Sequence, residues 1–341
     1  MKTNFLKIAA ILTGVLLVLS CSKDDDSGEI VKPVTVKDVY IAGNIGAGAV
    51  YWKNGVVTNL ENSAIGNSVY VVNNDVYVAG ATYNSLTSTH TAVYWKNGLK
   101  ITLPVTGSSS SIAQSIWVSG NDVYVAGYQM VGSNGMIKLW KNGVAYNWTD
   151  GSSSTIPTSI CVVGNDVYIS GYSYENPIGY VAKYWKNGVV TNLSTSSPNR
   201  EATASFITVS GNDVYVSGRE NNGTKNVATY WKNGQIIALT NGINNSYASS
   251  LVVSGNDIYV SGYESNGSHY IAKYWKNGQA NLLSDGIEDV FANDIKVINN
   301  DVFVVGRNTL GDLKYWKNGG ETSFFPIGSM GDANDIFITT N

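Results

Sequence analysis

Cysteine and histidine are nearly missing from this chain of 341 residues, with two of each. Two cysteines cannot supply a disulfide framework. His90 and His269 stand too far apart in sequence to suggest a histidine metal site. Charged residues make up only 14% and nowhere form a basic block, so the concentrated positive footprint of a nucleic-acid-binding protein is absent. No segment repeats its apolar residues at a helical period. Nucleophile elbows, zinc motifs and phosphate-binding glycine loops are also missing. The single long apolar run, Ile8 to Leu19, is shorter than the ~20 residues that span a bilayer comfortably.

What surrounds that run gives it another meaning. Lys2 and Lys7 precede it and Ser20-Cys21 follow it. A basic start, a short apolar core and a small residue before a cleavage point mark a secretory signal over residues 1–20. Val18-Leu19-Ser20-Cys21 resembles a bacterial lipobox, in which the cysteine is acylated and becomes the first mature residue. The following Ser22-Lys23-Asp24-Asp25-Asp26 resembles the signal that exports some lipoproteins to the outside of the outer membrane. Residues 21–37 are thus expected to be a lipidated acidic tether, extended by self-repulsion. The net charge is −3, and removal of Lys2 and Lys7 leaves 20 basic against 25 acidic side chains. Cys161 lies in an apolar strand pattern and reads as a small core residue.

The remainder repeats itself. Asp213-Val214-Tyr215-Val216-Ser217-Gly218 recurs at Asp38, Asp75, Asp122, Asp166, Asp257 and Asp301, each copy followed by Tyr/Leu-Trp-Lys-Asn-Gly. The tryptophans of that motif are Trp52, Trp95, Trp140, Trp185, Trp231, Trp275 and Trp316, spaced by 43, 45, 45, 46, 44 and 41. A period of about 40–45 residues is that of propeller blades. One repeat reads as four strands: a at 251–254, b at 257–262, c at 271–276 and d at 279–283. Asn-Gly between c and d is a strong hairpin signal, because a type I′ turn needs positive φ at both central residues. Strand b is apolar on both faces, which suits a blade packed on both sides. The repeated tryptophan is expected between blades, with its indole N–H bonded nearby.

The ends predict closure. Ala333-Asn334-Asp335-Ile336 matches Ala292-Asn293-Asp294-Ile295, so the chain stops after a strand a that has no b. The first b, from Asp38, has no good a before it. The last strand should complete the first blade, giving an all-β, seven-bladed β-propeller of four-stranded blades over residues 38–341. An open solenoid would need capping repeats, and none is found. The unit Ala228-Thr229-Tyr230-Trp231-Lys232-Asn233-Gly234 with Leu239 resembles the HAF-repeat family of bacterial extracellular proteins, with Tyr where that family uses Phe-Leu. The resemblance implies a propeller-like extracellular domain and no assigned chemistry.

Among candidate residues, the seven aspartates after the a–b turn read as turn chemistry, bonding neighbouring backbone N–H groups. The seven lysines before Asn-Gly read as a solvated positive rim. Asp294 and Asp335 stand where other repeats have Ser68, Ser115, Ser159, Phe206 and Ser250. Two carboxylates on adjacent inner strands could serve as an acid–base pair in glycoside hydrolysis, with Glu288 and Asp289 in the preceding loop. Short polar side chains capping a loop are the preferred account of both. The a–b and c–d turns are short, whereas the b–c and d–a loops vary, so one face of the ring is uniform and the other carries every long loop. At the mouth of those loops, the position after each b-strand glycine holds Asn44, Ala81, Tyr128, Tyr172, Arg219, Tyr263 and Arg307. Tyr and Arg are typical binding hot spots. Continued packing between blades accounts for the tyrosines less exactingly, but a buried unpaired Arg is costly.

The leading expectation is a non-enzymatic, monomeric surface lipoprotein of the outer membrane that binds a glycan or a protein on its long-loop face. It needs no cofactor or metal and touches the membrane through its anchor alone. A polysaccharide hydrolase or lyase using the acids, and a structural surface protein, are the alternatives. Propellers host all three, so fold alone does not choose.

Overall fold

The computed structural model describes residues 34–107, 109–194, 200–326 and 328–341; the expected signal sequence, Cys21 and the acidic residues after it lie outside them. Val34–Asn341 forms one compact unit. Its 28 strands make seven four-stranded antiparallel sheets, and no helix occurs among the described residues. Blade 6 shows the plan: a is Ser246–Ser254, b Asp257–Ser265, c Tyr270–Lys276 and d Gln279–Leu282. The strands lie in that order from a to d within the sheet.

Closure is as the sequence predicts. The last strand, Gly331–Thr340, pairs antiparallel with the first, Val36–Ile45, and is strand a of blade 1. Ile41 pairs with Ile336, and Tyr40 with Phe337. The seam thus carries the same ladder as a hairpin inside any other blade, and it covers the edge of Val36–Ile45 that would otherwise be open.

The turns follow from the residues. Asn277 and Gly278 have φ of 50° and 83°, the left-handed pair that a type I′ hairpin requires, and the same holds at the other six Asn-Gly turns. Strand b is buried on both sides: Tyr259 is 2% and Val260 1% exposed. Six of the seven motif tryptophans are essentially fully buried, packed against the preceding blade. Their indole N–H groups depart from expectation. Trp140 donates to Pro104 O at 2.7 Å, but Trp52, Trp231 and Trp316 have no partner. The apolar ring, rather than its polar edge, fixes this residue.

The inner strands are longer than the pattern suggests. In blade 6 strand a begins at Ser246, not Leu251, and b of blade 1 begins at Val36, not Asp38. The extra turnless stretch is rich in small and polar residues, with one larger side chain at its second position in most blades, and a β-bulge interrupts its period. Pairing slips between Ala248 and Ser250, and at the equivalent place in every blade. The b-strand glycine lies opposite the bulge. A Cβ on Gly306 would sit 1.9 Å from Phe291 O, so no other residue fits.

Two expectations at the tight turns need correction. Asp257 does not bond the neighbouring backbone N–H; Asn277 Oδ1 accepts that bond from Ile258, and Asn277 Nδ2 donates to Asp257 Oδ1. Lys276 is not a free rim charge. It pairs with Asp257 at 2.8 Å and lies 5.1 Å over the Tyr259 ring. All seven repeats build this Asp–Asn–Lys–aromatic unit, with Phe303 replacing tyrosine in blade 7. Lysine lowers the Asp257 pKa and Asp257 raises that of Lys276, so both stay charged and cancel. The uniform face is a ring of neutral pairs.

Candidate functional site

The long-loop mouth of the channel is built from hairpin register. The bulge brings the second residue of each inner strand opposite the residue after the b-strand glycine. Tyr247 thus faces Tyr263, Phe291 faces Arg307 and Thr203 faces Arg219. The sequence reading had one half of each pair. The inner-strand half was missed because it lies upstream of the bulge; the glycine of strand b is the signal that could have located it.

These pairs join into a belt across blades 5 to 7. The Arg219 guanidinium lies 5.7 Å over the Tyr247 ring. Tyr247 stacks on Tyr263 at 4.9 Å, and Tyr263 meets Phe291 edge-on at 4.9 Å. Tyr270 closes the cluster at 5.3 Å from Tyr263. Arg307 lies 5.8 Å over Phe291 at the far end and pairs with Asp332 at 2.7 Å. Asn226 accepts from Arg219 and donates to the Tyr247 hydroxyl at 2.9 Å. Burial pushes the Tyr263 phenol up to about 12, so it stays protonated as a donor. Neither arginine is unpaired, which removes the cost expected of a buried guanidinium.

Other members of the predicted ring are placed differently. Tyr172 is half-buried and packs edge-on against Tyr180 at 5.3 Å. Tyr128 is half-buried opposite Ile112. Both lie on the same mouth but outside the belt. Asn44 and Ala81 are buried, and Asn44 Oδ1 accepts the Gly66 N–H at 2.8 Å.

Asp294 and Asp335 do come together, one layer down the channel. They sit at the bulges of neighbouring inner strands, within the strands rather than at a loop end. Asp294 Oδ2 accepts the Ile336 N–H at 2.9 Å and Lys296 Nζ at 2.8 Å; Asp294 Oδ1 accepts the Ile295 N–H. Asp335 Oδ2 accepts the Val69 N–H at 2.8 Å, and its other oxygen lies 3.9 Å from Lys296. Ser68 and Ser115 make the corresponding blade-to-blade bonds to Ile116 and Ile160. The acids therefore occupy the stitching positions on either side of the closing strand. Burial and the charge of Asp294 push Asp335 well above the ordinary carboxylate range. Burial is the largest single influence on Asp294 and opposes its ionisation, but Lys296, the hydrogen bond with Asp335 and the Ile336 N–H together outweigh it and hold Asp294 below that range. A protonated acid beside an ionised one is the polarity an acid–base pair needs. Here the Oδ atoms of Asp294 are both taken by backbone N–H groups, and the space above the pair is a neck of about 120 Å³. Glu288 accepts from Asn308, and Asp289 from the Tyr270 N–H, in the loops above.

Cys161 is buried, and its thiol is pushed up to about 11 by burial, which leaves it an unreactive thiol.

No family model matches the sequence, and no curated protein matches it. Solved propellers do resemble the structure. The β-propeller domain of the Trilobed protease from Pyrococcus furiosus, described as having an open velcro topology, matches with a TM-score of 0.54 at 8% identity, over 87% of this chain and 95% of that one. Pyrococcus horikoshii acylaminoacyl peptidase matches at 0.51 and 10% identity, over 86% of this chain and 51% of its own. A prolyl endopeptidase matches at 0.53 and 8%, over 90% and 51%. The chain spans about half the length of these two peptidases. At such identities the likeness extends to the propeller fold alone.

Proposed function

We propose that the protein is a non-enzymatic binding module that captures a protein partner on its long-loop face, held at the cell surface by a lipid on Cys21. The Arg219–Tyr247–Tyr263–Phe291–Arg307 belt carries this reading. Its aromatic faces are preorganised by one another and by flanking guanidiniums, so little side-chain freedom remains to be lost on binding. The loops beside it end in bare apolar residues: Ile243 is 69%, Ile287 76% and Leu310 68% exposed. Exposed apolar tips rimming Tyr and Arg favour a protein over a polysaccharide as the partner. The stitching role of Asp294 and Asp335 accounts for both acids without hydrolysis.

The test is a binding screen of the soluble chain from Ser22 onward against envelope proteins, host extracellular proteins and polysaccharides. Saturable binding to a protein, weakened at least about tenfold in Arg219→Ala/Arg307→Ala with unchanged melting, is the expected result. In the cellular arm, Cys21→Ala leaves the membrane fraction. Binding to polysaccharide alone, or binding indifferent to both arginines, overturns the reading.

A further inference from the structure

The channel has a second cavity on the face that carries no long loop. Inner strands run from the long-loop mouth toward the tight a–b turns, so residues two places past the Asp/Ser layer face the channel nearer the tight-turn side. Tyr70, Trp117, Lys296 and Phe337 occupy this layer and, with Phe206, wall a cup of about 210 Å³. The Tyr70 ring lies 4.7 Å from Phe337 and 5.2 Å from Trp117, giving a continuous apolar wall on one side. Repetition does not explain it. The equivalent positions in blades 4 to 6 hold Cys161, Thr208 and Val252.

Charge narrows the occupant. A cation would compete with Lys296, whose ammonium already lies 5.3 Å over the Phe206 ring. An anion would find Lys296 neutralised by Asp294 at 2.8 Å. A neutral molecule remains, one with flat apolar faces and polar groups spread around its edge. Polar groups in the wall meet it from several sides rather than along one edge, as a planar base would need. Ser68 and Ser159 border the cup from different blades, and the Ser159 hydroxyl is without a partner although the residue is only 2% exposed. No hydrogen bond within the described residues engages the Tyr70 hydroxyl or the Trp117 indole N–H, and both residues are half-buried on the wall of the cup. Rings that offer C–H groups on their faces and hydroxyls on their rim meet these conditions.

We propose that the cup binds one neutral pyranose ring, either a free monosaccharide or the terminal unit of a neutral glycan. This site is independent of the long-loop belt. Titration calorimetry and tryptophan fluorescence on the chain from Ser22 onward test it, with glucose, galactose, mannose and their neutral trisaccharides as probes. Expected is saturable binding of at least one probe, weakened at least about tenfold in Trp117→Ala. Tyr70→Phe, which removes only a hydroxyl and keeps the ring packing, should weaken binding several-fold at an unchanged melting midpoint, and it decides the matter if Trp117→Ala fails to fold. Binding of monosaccharides identifies a free sugar as ligand; binding confined to trisaccharides identifies a chain end. The inference is overturned if no probe saturates, if both variants bind normally, or if Arg219→Ala/Arg307→Ala abolishes the binding instead.

Discussion

At the scale of single residues, the acid pair shows how position in a ring changes chemistry. Asp294 and Asp335 replace serines in a stitching layer, and only there does a lysine, Lys296, come with them. Their predicted effects on stability have opposite signs. Asp294 has a folded pKa below its unfolded one, so its contribution is present above the unfolded value of about 3.9 and fades as pH falls. Asp335 has a folded pKa above its unfolded one, so its contribution is full below about 3.9 and is lost as pH rises through the folded value. Asp335→Asn keeps an acceptor for the Val69 N–H and removes that loss. Its melting temperature should gain on wild type steadily as pH rises above about 4. Asp294→Ala strips the Ile336 N–H and Lys296 of their partner and should cost about 3 kcal/mol near neutral pH. Parallel melting curves for Asp335→Asn and wild type across pH would refute the assignment. These roles were half legible. The sequence marked both acids as unlike their repeats, but the backbone N–H groups they serve belong to neighbouring blades and leave no trace in spacing. The same limit hid the lysine pairs at the tight turns, where Asp and Lys of one repeat are 15 to 21 residues apart and meet only across the b–c hairpin.

At the scale of elements, strands b and c and the Asn-Gly turn could be read directly, because apolar runs and left-handed turn residues leave strong local signals. Strand a could be read only in its second half. Its first half is rich in Ser, Ala and Asn, and the bulge shifts its parity, so the Tyr247 and Phe291 set among them did not show as partners of Tyr263 and Arg307. The C-terminal strand is the element on which closure turns. Deleting Asp335 to Asn341 removes most of the ladder to Val36–Ile45 and exposes that edge. The truncated protein should melt more than about 10 °C lower and should self-associate through the bare strand. A monomer with an unaltered midpoint would show that the seam contributes little.

At the scale of the whole molecule, the ring divides labour between its faces. Seven nearly identical Asp–Asn–Lys units neutralise the tight-turn face around the aromatic cup. The long-loop face departs from sevenfold likeness, concentrates its aromatics and arginines over blades 5 to 7, and bares its apolar loop tips. The most direct measurement of this account is backbone hydrogen–deuterium exchange of the chain with and without the protein partner found in the screen. Protection is expected at residues 240–247, 263–271, 285–291 and 307–313, with the a–b and c–d turns unchanged. Protection confined to those turns, or spread evenly around all seven blades, would contradict the long-loop face as the working surface.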